Sequence, residues 1–307
     1  MNGFLFKVVM STLVTVSLFA ASSLVASPIL RAASIEKEQS KKAIIVVSFG
    51  TTFAEARKSC IESVENRIGE TFPDYDVFRA FTSKIVIKRL AERDQIYVSD
   101  LETVLTKLQA EGYDEVIIQT THLTPGEEYD KKVLATVEKF SSSFAKIAIG
   151  RPVLYYNGTN DKPNDFAIAL EALKKQIPGQ LEDKTVVFMG HGSPHQHNPA
   201  YQSMQEHFDA IGLQAAVGVV EESDYPNLED VLRILEERNV KKVILMPMMV
   251  VAGDHANNDM AGEDKDSWKN QFIAKGYEVE TYLHGLGENK AFQDIYVEHV
   301  RDAINGL

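Results

Sequence analysis

The stretch LETVLTKLQAEGYDEVII, beginning at Leu101, returns as LEDVLRILEERNVKKVIL beginning at Leu228, a shift of 127 residues (228 − 101). Each copy reads as an amphipathic helix followed by an apolar strand. At the same shift Gly126 meets Gly253, Glu127 meets Asp254 and Glu128 meets His255. A second pair, Ser48-Phe49-Gly50-Thr51 against Gly190-His191-Gly192-Ser193, is displaced by 142 residues (190 − 48). Self-similarity of this kind binds both halves of a chain to one topology more firmly than local propensity does.

The rest of the chain agrees with that constraint. Short apolar runs at Ala43–Phe53, Asp74–Ser83, Glu115–Gln119 and Lys146–Leu154 alternate with helical patterns at 54–68, 84–93, 100–109 and 128–141. The second half shows strands in TVVFMGHGSPH, AAVGVVEESDYP, KKVILMPMMV and YEVETYLHGLG, with helical patterns at 199–209, 228–238, 266–275 and 289–304. Strands separated by helices of this length predict parallel sheets covered on both faces. The expected architecture is α/β: two similar lobes, each a parallel sheet flanked by helices, with a cleft between them. The polar stretch Asn157–Asp165 sets the boundary, giving lobes over 35–160 and 161–307, although the closing helix is free to cross back to the first half.

Residues 1–34 read as an export signal. Lys7 supplies a positive start, Val8–Ala26 is an apolar run, and small residues follow at Val25-Ala26-Ser27 and Ala32-Ala33-Ser34. A retained anchor is the weaker reading, because small residues suit a cleaved signal better than a span. The expectation is an exported, periplasmic or otherwise extracytoplasmic protein with no stable membrane span after signal removal. Cys60 is the only cysteine in the 307 residues, so no internal disulfide can form. A net charge of −12 argues against a nucleic-acid partner, but local cations still permit an acidic small ligand.

In open parallel sheets, ligands lie beyond the carboxyl ends of strands. His191, Glu221 or Glu222, and His255 all follow strands of the second half, and Glu128 takes the matching place in the first. Two imidazoles and a carboxylate suit Co2+, Ni2+, Fe2+ or Zn2+, and the lone distant cysteine excludes a thiolate site. Bland readings stand beside these: His191 as a turn residue between glycines, His255 as a helix cap, Glu127 and Glu128 as acids in a first helical turn. His195 and His197 read as surface-loop residues and His122 as either cleft or core. His207, His284 and His299 read as structural, and Met246, Met248 and Met249 as core filling. No phosphate-loop or dinucleotide glycine motif occurs, so no nucleotide is expected.

VVSFGTTF, FRAFTS, GEEYDK, VFMGHGS, LMPMMVVAGDHANNDMAGEDKDSWK and GLGEN together closely resemble the anaerobic, class II sirohydrochlorin cobaltochelatases over nearly the whole chain from Ala43. The resemblance implies ATP-independent insertion of Co2+ into sirohydrochlorin. It implies a metal set of His191, Glu221 and His255, with Glu222 competing for the acid's place and Glu128 as a further cleft acid. His191, Glu128 and His255 are then the catalytic candidates, His191 or Glu128 taking a pyrrole proton. Ser48, Gly50, Thr51, Arg79 and Lys84 are candidates for the carboxylates of an acidic tetrapyrrole. The export signal departs from the family's usual cytoplasmic members. It leaves open an exported carrier of metal, haem or tetrapyrrole, and a chelatase working with Fe2+ or Ni2+. A haem and a homo-oligomer are compatible with the chain, but no residue pattern specifies either.

Overall fold

The computed structural model describes residues 40–179, 181–193, 199–221 and 223–307. The segment 1–34 expected to be an export signal, His195, His197 and Glu222 lie outside the described residues.

Among the described residues, eight strands form two four-stranded parallel sheets. The first contains β1 (Lys42–Ser48), β2 (Asp76–Phe81), β3 (Glu115–Thr120) and β4 (Lys146–Gly150), ordered β2-β1-β3-β4. The second contains β5 (Lys184–Gly190), β6 (Ala215–Val219), β7 (Lys242–Pro247) and β8 (Glu278–Thr281), ordered β6-β5-β7-β8. The orders are the same, as the repeat requires. The match reaches single hydrogen bonds: Thr121 N donates to Val47 O and Met248 N to Met189 O, while Asp130 N donates to Gly126 O and Asn257 N to Gly253 O. The 127-residue shift therefore relates real backbone positions.

Central strands have apolar residues on both faces because helices cover both sides. Ile44, Ile45, Val46 and Val47 of β1 and Val186, Val187, Phe188 and Met189 of β5 are fully buried. Burying each such side chain contributes about 1.5–3 kcal/mol. Met246 and Met248 are core residues as expected. Cys60 is also buried, and desolvation pushes its thiol up to about 11.

Several boundaries differ from the sequence reading. The strand expected through Leu154 ends at Gly150, and the one expected through Val250 ends at Pro247, where the proline removes a ladder donor. A helix at Asp165–Lys174 occupies chain expected to be only a boundary loop, and Asn164 caps it by accepting from Ala167 N. The helical stretch after Glu128 opens as a wide π-type turn, Tyr129–Leu134, before Ala135–Lys139. The equivalent stretch after His255 does the same at Ala256–Met260.

Ser40–Leu307 packs as one compact unit. The closing helix Lys290–Asn305 crosses back onto the first sheet. Tyr296 Oη donates to Thr121 O, and Lys146 Nζ donates to Ile304 O. Arg151, just past β4, donates to Asp302 on this helix and to Asp165 through Nε and Nη2, both at 2.9 Å. His299 Nδ1 donates to Arg151 O. Burial resists ionisation of Asp165, but hydrogen bonds from His299 and Arg151 outweigh it and hold the carboxyl below its ordinary range. The stability this group contributes is therefore complete above the unfolded carboxyl pKa, about 4, and is lost as pH falls below it. Asp165→Asn should lower stability by about 3–5 kcal/mol at pH 7, since it leaves a buried guanidinium without its partner. Urea unfolding should show that gap narrowing as the pH is taken below about 4.

Candidate metal and tetrapyrrole site

Because every strand runs the same way within its sheet, the loops after β1, β3, β5 and β7 leave from carboxyl ends. Two contacts join these loops across the repeats. Glu127 N, after β3, donates to Ser193 Oγ, after β5, at 3.3 Å. Thr51 Oγ1, after β1, lies 3.5 Å from where a Cβ on Gly253 would stand, after β7.

His191 follows β5 directly, and its ring lies against that of His255 with centroids 4.6 Å apart at 86°. The hydrogen bonds of these rings decide what each can do. His191 Nδ1 lies 2.9 Å from Gly192 O, and a carbonyl only accepts, so Nδ1 carries the proton. His255 Nδ1 lies 2.6 Å from Asp259 Oδ2, which fixes the same tautomer. With Nδ1 committed in each ring, Nε2 is the nitrogen left to offer a lone pair, and imidazole binds a metal through such an atom. A carboxylate behind a ligand histidine also raises its basicity and orients it.

The His191 loop is held by its neighbours. His191 O accepts from Glu221 N at 2.9 Å, and Ser193 N donates to the buried Asp224 carboxylate at 2.8 Å. Gly192 has φ +83°, and a Cβ there would stand 2.9 Å from Glu221 Cβ. The glycine thus lets the two candidate ligand loops touch. Tyr201 lies under the same loop with its phenol hydrogen-bonded by backbone groups of Gly192 and His191, and burial pushes it up to about 12.

Glu221 itself accepts from Ser223 Oγ at 3.1 Å. Glu127 pairs with Lys131, whereas the Glu128 carboxylate has no hydrogen-bonding or ion-pair partner among the described residues. Among the described residues, no three His, Cys, Asp or Glu side chains stand close enough together to grip an ion. The structure thus brings His191 and His255 together and keeps Glu221 and Glu128 on adjoining loops.

The substrate-binding candidates separate. Ser48 is buried and its Oγ accepts from Thr121 Oγ1. Gly50 has φ +95°, with the Phe81 ring where a Cβ would go. Thr51 is buried and its Oγ1 accepts from Phe53 N. Lys84 is exposed at the start of the helix Lys84–Arg89. Arg79 is committed elsewhere: Nε and Nη2 grip both Glu65 oxygens, and Glu62 lies 3.4 Å away. Beside the β1 loop, Phe49 and Phe53 are 51% and 40% exposed.

His122, at the end of β3, belongs to the site as well. Burial, with a smaller contribution from nearby His191, lowers it to about 4, so it is neutral at physiological pH. Sequence reasoning did not single out Asp259, Asp224 or Tyr201. Asp259 was legible as the carboxylate four residues beyond a candidate ligand histidine, whereas Asp224 and Tyr201 act on backbone and leave no such signal.

This twin-repeat parallel α/β fold is shared with chelatases of known structure. The structure of SirB from Bacillus subtilis with Fe3+ is similar over 87% of this chain and 97% of that one, with a TM-score of 0.56 at 15% identity. A second SirB structure, in complex with cobalt, is similar with a TM-score of 0.54 at 13% identity over 86% of this chain and 96% of that one. The cobalt chelatase (CbiK) family pattern matches residues 42–305, and the chain belongs to that family. The sirohydrochlorin cobaltochelatase of Salmonella typhimurium is 39% identical over 265 residues, covering 86% of this chain and 97% of the relative. The sirohydrochlorin cobaltochelatase CbiKC of Nitratidesulfovibrio vulgaris is 33% identical, covering 87% and 92%.

Asp259→Asn keeps the shape of the side chain but removes the charge behind His255. It should weaken Co2+ binding about 10- to 100-fold, read by titration of the visible cobalt spectrum, with little change in melting temperature.

Proposed function

We propose that the protein is a sirohydrochlorin cobaltochelatase, inserting Co2+ into sirohydrochlorin without nucleotide. One observation carries the reading. In a chain of the cobalt chelatase family, His191 and His255 lie ring against ring with both Nδ1 protons committed, so both Nε2 lone pairs are free.

The chemistry needs a partly desolvated cation, a macrocycle presented to it and an exit for two pyrrole protons. His191 and His255 meet the incoming Co2+ through Nε2, and Glu221 closes in from the loop that touches the His191 loop to add an oxygen ligand as the ion arrives. As the ion passes to the four ring nitrogens, two N–H bonds break and two protons leave. Glu128, whose carboxylate has no partner among the described residues, and a His191 relieved of metal are the acceptors. A mixed nitrogen and oxygen set releases a first-row ion more readily than thiolates would. The exposed faces of Phe49 and Phe53 supply apolar surface on which a flat macrocycle can rest. These donors also accept Fe2+ and Ni2+, so a metal panel belongs in the assay. The apolar run Val8–Ala26 behind Lys7 supports action outside the cytoplasm.

With excess sirohydrochlorin and Co2+, the wild-type protein should form many equivalents of metallated product, whereas a carrier stops at one. His255→Ala should abolish insertion while the circular dichroism spectrum is retained. Undiminished turnover in that variant would remove the histidine from the mechanism.

A further inference from the structure

We propose that His122 is a neutral hydrogen-bond donor to a carboxylate of the acidic macrocycle, and not a third ligand to the metal. This inference rests on the chelatase reading and adds a substrate-positioning residue to it.

His122 Nδ1 lies 2.5 Å from Thr120 Oγ1, which also accepts from His122 N at 3.3 Å. Thr120 is fully buried. Among the described residues, the one acceptor within reach of its hydroxyl proton is His122 Nδ1. The hydroxyl therefore donates to Nδ1, and the proton of the neutral ring resides on Nε2. This is the opposite tautomer to that of His191 and His255, whose Nδ1 atoms face a carbonyl and a carboxylate. A ring whose Nε2 carries hydrogen cannot coordinate through that atom, but it can donate.

That donor is buried, on a ring that is itself only half-buried, and has no partner among the described residues. Leaving a buried donor unmade is costly, which points to an acceptor that arrives with substrate. His122 lies near enough to His191 for a charge on one to oppose a charge on the other, so it belongs to the same end of the molecule. Two other buried polar atoms lack partners among the described residues, Gln119 Oε1 within β3 and Thr82 Oγ1 on the other side of β1, where Thr82 N donates to Ser48 O. Thr121, next to His122, donates from its N to Val47 O. The end of β1 is thus flanked by two unmatched polar groups. An uncharged donor also suits a site that must admit a dication, because it binds an anion without adding positive charge. Arg79 cannot serve instead while Glu65 holds it.

The test compares His122→Leu and His122→Gln with wild type. Binding of metal-free sirohydrochlorin is followed by its fluorescence, binding of Co2+ alone by its visible spectrum, and turnover by product absorbance. His122→Leu should raise the sirohydrochlorin Kd and KM on the order of tenfold to a hundredfold, with kcat and Co2+ affinity little changed. His122→Gln, which keeps a donor, should recover most of the loss. The fully esterified macrocycle should bind wild type and His122→Leu equally weakly. The proposal falls if His122→Leu weakens Co2+ binding but not macrocycle binding, if neither variant changes the Kd, or if both variants lose binding equally. It also falls if wild type holds the ester as tightly as the acid. A wild-type protein that binds the macrocycle without turnover would refute the chelatase reading, while the Kd comparison would still report on His122.

Discussion

Strand polarity is the constraint on which the rest of this molecule depends. Parallel pairing in the orders β2-β1-β3-β4 and β6-β5-β7-β8 sends every strand of a sheet out at one edge. Residues as distant in sequence as Thr51, Glu127, Ser193 and Gly253 then become neighbours through loops alone. No local motif is needed to gather them, and none exists. The repeat doubles the arrangement, so each sheet contributes the same two loop positions with different side chains on them.

The three histidines of the site show how little residue type says about role. His191 and His255 have Nδ1 against oxygen atoms that only accept, which turns the lone pair outward. His122 has Nδ1 against a threonine hydroxyl with no other acceptor in reach among the described residues, which turns a proton outward. The difference arises from one backbone carbonyl, one aspartate and one threonine. On the proposed reading, a ligand pair and a donor can therefore share one site without competing for the same ion, provided those three partners stay in place.

Much of this was legible in the sequence, for physical reasons that also mark where legibility stops. The repeat of Leu101 onto Leu228 gave topology, because a 127-residue shift leaves few folds compatible with both copies. Periodicity found the strand cores but overran their ends: Pro247 closes β7 while Met248 remains buried, so apolar character outlasts the ladder. The helix Asp165–Lys174 was hidden because its cap lies in a polar stretch that also reads as a linker. Arg79 looked available because a sequence cannot show that Glu65 is wrapped around it. Tautomers were out of reach altogether, since they follow from partners that only the fold supplies.

The helix Lys290–Asn305 gives the repeat architecture a particular consequence. It lies on the sheet of the amino-terminal copy, anchored through Tyr296 to Thr121 and through Asp302 to Arg151. During synthesis that first copy waits, one flank uncovered, until the final helix has left the ribosome. The amino-terminal sheet is therefore completed only by a segment that the carboxyl-terminal copy delivers.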